Sequence, residues 1–133
     1  MFLNYLNEDS KQMFLKLCLC AAKANDVIER EEEDMMHAYC REMNIKEEIP
    51  KDDIEPNELI AEISGNTNKS EKNIIVLELL GLMYSDGNYD KSEHSFMDNI
   101  VKGFNMNKED LEKLDIMLNS YYKVYKEMVS EIF

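Results

Sequence analysis

Only four glycines and two prolines occur in 133 residues. So few breakers exclude a turn-dense, β-rich fold and favour long helices with few connections. Cysteine is scarce too. Cys18, Cys20 and Cys40 are an odd set in a cysteine-poor chain, which predicts reduced thiols and a cytoplasmic setting. Basic residues are in deficit: 15 Lys and Arg stand against 28 Asp and Glu, a net charge of −13. Such a surface repels phosphate, and no local basic patch relieves it, so nucleic acid is excluded as a partner and anionic membranes are disfavoured. Basic proteins and divalent cations are the electrostatically natural ligands. Long hydrophobic runs are missing as well. Ile74 to Tyr84, the longest, is broken by Glu78 and is too short to span a bilayer. The stretch Met1 to Lys11 has no basic n-region and carries Glu8 and Asp9, so no targeting segment is expected.

What is present reads as one all-α domain over 1–133, a bundle of about six to seven helices. Asn7 or Asp9 caps a first helix with Met13, Phe14, Leu17, Cys18 and Ala21 at helical spacing, ended by Ala24-Asn25-Asp26. A second helix runs from near Glu29 to about Met43 on Met35, Met36, Tyr39, Cys40 and Met43. Pro56 suits the first turn of a short helix, Asn57 to Ile63, which Gly65 closes. Asn68 or Ser70 caps a helix from Glu71 to Tyr84 that is apolar almost all round and therefore central. Another helix spans Asp90 to Gly103. Asn107 with Asp110 caps the last, from Lys108 to near the end, with a break expected near Asn119-Ser120.

The chain also repeats itself. Sliding it by sixty-one positions, so that Asn44 meets Asn105, also pairs Leu19 with Leu80, Glu32 with Glu93 and Met36 with Met97. The units, approximately 10–45 and 71–106, are each a helix, an acidic turn and a helix. Ala24-Asn25-Asp26-Val27-Ile28-Glu29-Arg30-Glu31-Glu32 resembles the Ala-Asp-Gly-x-Ile-x-x-x-Glu pattern of the TerB-like family of tellurite-resistance proteins and J-domain chaperone N-termini. Ser85-Asp86-Gly87-Asn88-Tyr89-Asp90-Lys91-Ser92-Glu93 fits it better at the Asp-Gly step. The resemblance implies a compact TerB-like bundle over nearly the whole chain. It also implies a metal role for the acidic turns, on Asp86, Asp90 and Glu93, facing Asp26, Glu29 and Glu32. Oxygen donors of this kind suit a hard cation of the Ca²⁺ or Mg²⁺ class. The first turn departs from the pattern, with Asn25 in place of Asp and Asp26 in place of Gly. The left-handed turn survives that change, but an amide is a weaker ligand, so the second turn is the favoured site.

The same acids have a plainer use. Carboxylates in a helix's first turn complement its macrodipole, and the run Glu29 to Asp34 needs no other explanation. That reading is the weightier one. An EF-hand is excluded because its sixth position is Lys91 and its twelfth Met97. Asp34-Met35-Met36-His37 lacks a second helix of its kind to make a di-iron site. His37 with Cys40, and Cys18 or Cys20, makes a poor zinc set, and buried reduced cysteine explains these thiols better. Most of the 10 methionines and Tyr121, Tyr122 and Tyr125 are expected in the core, the tyrosines being the first place to seek an exposed partner patch. The expected function is that of a non-enzymatic domain binding a divalent metal or a protein partner in a stress or tellurite response. A helical interaction module without metal is the alternative, and a metal-dependent hydrolase ranks last.

Overall fold

The computed structural model describes residues 1–25, 28–51, 54–85, 87 and 89–133, with Asn25 described by its backbone alone. Among these residues six α-helices occur and no strand: α1 Glu8–Ala22, α2 Arg30–Glu42, α3 Pro56–Asn66, α4 Lys69–Tyr84, α5 Lys91–Gly103 and α6 Lys108–Ile132. Two 3₁₀ turns, Leu3–Tyr5 and Lys23–Asn25, precede and follow α1. The helices begin where side chains can satisfy their orphan amides. Asn7 accepts from the Ser10 N–H, and Asn68 and Asn107 pair reciprocally with Glu71 and Asp110 in capping boxes.

The two helices that are apolar around most of their circumference form the centre. Phe14, Leu17 and Cys18 of α1 are fully enclosed, as are Ile75, Val76, Leu79, Leu80, Leu82 and Met83 of α4. Amphipathic α2 and α5 each offer one face, through Met36, Tyr39, Cys40 and Met43, and through Phe96, Met97, Ile100, Val101 and Phe104. α3 lies on α1 and α5, and α6 lies on α4 and α5. The sixty-one-residue offset recurs in backbone geometry. Asn44 and Asn105 both sit at φ 56°, just past the ends of α2 and α5. Beyond them the Ile45 and Met106 N–H groups reach back to the carbonyls of Cys40 and Val101, at 3.0 and 2.9 Å, in the six-to-one bond of a Schellman cap.

Three expectations are corrected. Gly65 does not close α3, which continues to Asn66 because the Asn66 amide and the Thr67 hydroxyl donate to the carbonyls of Glu62 and Ile63 at 2.8 and 2.7 Å. No break occurs at Asn119-Ser120. The Asn119 amide donates to the Asp115 carbonyl one turn back, at 2.9 Å, and α6 runs on. Tyr121 and Tyr125 are exposed rather than core. Glu78, which interrupts the apolar run in the sequence, is buried in α4 and accepts from the Met1 ammonium at 2.8 Å, a donor it shares with Glu42.

Candidate functional site

The acidic turns lie between α1 and α2 and between α4 and α5. Asp26 and Asp86 fall outside the described residues. Of the other four acids singled out in the sequence, Glu32 and Glu93 are each 1% exposed, Asp90 is half-buried and Glu29 is at the surface. Glu29 and Asp90 are N-caps, and their backbone N–H groups each donate to the glutamate three residues on, Glu32 Oε1 and Glu93 Oε1, at 3.1 Å. The Glu93 N–H returns a bond to Asp90 Oδ1 at 2.9 Å. The motif's glutamate is thus a buried capping carboxylate, held by an otherwise orphan amide and by the positive end of the helix dipole. Gly87, at φ 79°, takes the left-handed conformation for which a side chain would be strained. Among the described residues, no three His, Cys, Asp or Glu side chains are grouped to hold a metal ion.

The second turn borders a furrow that α2 also lines. Met35 of α2, in the first unit, faces Gly81, Tyr84 and Ser85 of the second across a cavity of about 910 Å³. The sixty-one-residue counterparts of those residues, Phe96 facing Cys20, Lys23 and Ala24, enclose only about 230 Å³. The difference has a physical source. Ile54 and Pro56 cover the smaller space, and α3 closes against α5 there, with Gly103 so near Ile60 that any side chain at 103 would collide with it. α6 rests on α4 instead and stands off α2, leaving the larger space open. Its walls differ in charge: Glu31 and Asp34 line the α2 side, and Lys123 and Lys126 the α6 side.

An aromatic cluster forms the furrow's end. The Tyr84 hydroxyl donates to Asp115 Oδ1 at 2.6 Å, and the Asn119 amide donates to the Tyr84 oxygen at 3.3 Å. Tyr89 meets Tyr84 edge-on, with centroids 5.0 Å apart, and stacks on His94 at 3.7 Å. Burial first, and then neighbouring carboxylates and phenols, push the Tyr84, Tyr89 and Tyr122 hydroxyls above their ordinary pKa. Burial does the same to the Cys18 thiol, well above its usual value, so it is a poor nucleophile. Sequence reasoning did not give Asp115, Asn119, Lys123 and Lys126 a place in any site. Their steps of four, four and three were the available signal, a polar stripe along one side of α6.

No family model matches the chain, and no curated protein does. A solved structure does. A crystal structure of a tellurite resistance protein from Nostoc punctiforme PCC 73102 superposes with a TM-score of 0.72 at 19% identity, covering 95% of this chain and 81% of that one. The chain has the TerB-like fold. At that identity the likeness speaks for architecture alone, and the side chains must supply the rest. In this TerB-like bundle the repeated glutamates cap helices, while the opening between α2 and α6 breaks the resemblance of the two halves.

Proposed function

We propose that this chain is a non-catalytic TerB-like binding domain whose ligand surface is the furrow between α2 and α6. One observation carries the reading: the two halves share caps and turns, yet only one of the two equivalent spaces is left open, about 910 Å³ against about 230 Å³. The furrow has an apolar floor at Met35, Gly81, Tyr84 and Tyr122 between an acidic and a basic wall. An amphipathic helix with charges flanking its apolar face is complementary to that arrangement, in the helix-in-groove manner. Selection of binding peptides from a random library tests it. The expected binders are helix-forming and amphipathic, shift the amide resonances of Met35, Gly81 and Tyr122, and are lost on Met35→Lys with Tyr122→Ala. Binders that map to any other face would sink the reading.

A second reading has its own support. Glu31 and Asp34, just beyond the first turn, line one space with Ser85 and Gly87 of the second, so acids of the first repeat border the opening beside the second turn. A cation of the Ca²⁺ or Mg²⁺ class at the second turn would draw on Asp86 and Asp90 there. Calorimetric titration with Ca²⁺, Mg²⁺, Mn²⁺ and Zn²⁺ decides it; no heat and no thermal shift remove it. The name of the structural neighbour carries a tellurite or stress response into the same proposal. Tellurite tolerance conferred on a sensitive host by the chain, and not by its furrow variant, is the outcome this predicts.

A further inference from the structure

α6 outruns the body it packs on. Leu111 and Leu118 are buried, Leu114 and Tyr122 are half-buried, and every residue from Lys123 to Phe133 is exposed. The apolar pattern does not stop where the burial does. Leu111, Leu114, Leu118, Tyr121, Tyr125, Met128 and Ile132 follow one another in alternating steps of three and four, the a/d register of a coiled coil. The first three members of that stripe belong to or pack against the core, whereas the last four are each 46% exposed or more. Met117 and Val124 widen the uncovered part.

We infer that the distal half of α6 is a self-association surface, and that its occupant is the same face of α6 from a second copy of this chain. Three observations select that partner. The register is the one in which a helix packs against another helix, and it is continuous with a stripe already so used against α4. The area is of the right size. Met117, Tyr121, Val124, Tyr125, Met128 and Ile132 are each 46% exposed or more, and together offer on the order of 700 Å². That exceeds the about 300–600 Å² of a typical monomer's largest apolar patch and approaches the about 800 Å² each partner brings to a standard interface. Charge permits it as well. The chain carries −13, but residues 119–133 hold two bases, Lys123 and Lys126, and two acids, Glu127 and Glu131. The distal half of α6 therefore carries no net side-chain charge, and two copies meeting there add no local like-charge repulsion. No residue of the uncovered stripe lines the furrow, so this pairing stands or falls apart from the peptide reading.

Sedimentation equilibrium of the full chain, across a dilution series from micromolar to sub-millimolar, tests the inference. The expected result is a reversible dimer that tightens as salt screens the repulsion between the acidic bodies. Tyr125→Glu with Met128→Glu should weaken it about a hundredfold or more and leave helical circular dichroism unchanged, because both side chains are exposed. A monomer at every concentration overturns the inference. So does a dimer indifferent to that double substitution, or a monomer that floats with phosphatidylcholine vesicles, which would make the stripe a lipid-facing surface.

Discussion

At the scale of single residues, Glu32 and Glu93 of the repeated turns cap α2 and α5. Three-residue spacing at a helix start suits both a capping carboxylate and a metal ligand, and the helix-end role is the weightier reading of the sequence. Both are buried to 1% exposure and each accepts from an N-cap amide, so each caps its helix. Glu93→Ala is therefore expected to lower stability by about 1–2 kcal/mol, through the lost cap and the stranded Asp90 amide; Glu93→Gln, which keeps an acceptor, should lose less. Urea denaturation of the three proteins measures both. The tyrosines supply a pH dependence. Tyr39, whose hydroxyl donates to the Glu78 carbonyl at 2.8 Å, is held well above its ordinary value by burial and then by Cys18 and Glu78. Tyr84, Tyr89 and Tyr122 are raised as well. A phenol raised on folding prefers its protonated form in the native state. Its stabilisation is thus complete below the ordinary value of 10.0 and is lost as pH climbs through the raised one. Alkaline titration followed by near-ultraviolet absorbance and circular dichroism should show these four ionising late, together with unfolding. Seven tyrosines titrating alike, with helix content intact, would contradict this.

At the scale of elements, helix positions were legible, but one helix end and the continuity of another helix were not. Periodicity and cap residues placed all six helices, since an apolar stripe between two capping signals leaves few alternatives. The misses arose where a local side-chain bond overrode propensity. Asn66 and Thr67 take up the carbonyls that Gly65 was expected to leave behind, and the Asn119 amide ties down Asp115 across the expected break. The matched left-handed residues give an element-level prediction. Asn44→Gly and Asn105→Gly should be neutral or slightly stabilising, whereas Val at either site should lower stability by about 1–2 kcal/mol, because a branched side chain is strained at φ 56°. Thermal melts of the four variants check it, and equal tolerance of Val would show that the Schellman caps contribute little.

For the whole molecule, the charge of −13 acts on every part of the compact state through self-repulsion. Raising sodium chloride from about 20 mM to about 500 mM shortens the screening length several-fold and should raise Tm by a few degrees; a falling Tm would mean that specific ion pairs outweigh the net repulsion. None of the helices among the described residues is long and apolar enough to cross a membrane. The all-α class, the central place of α1 and α4 and the doubling of the helix–turn–helix unit follow from the sequence by itself, because helical periodicity and cap chemistry are local and need no partner to be read. The tertiary structure alone decided which acids are buried as caps, and that α3 closes one half while α6 leaves the other open. It alone showed that the apolar stripe of α6 continues past the body that covers its start. Those outcomes depend on the angles and distances at which helices pack, and a residue's spacing along its own helix says which face it occupies but not what stands opposite.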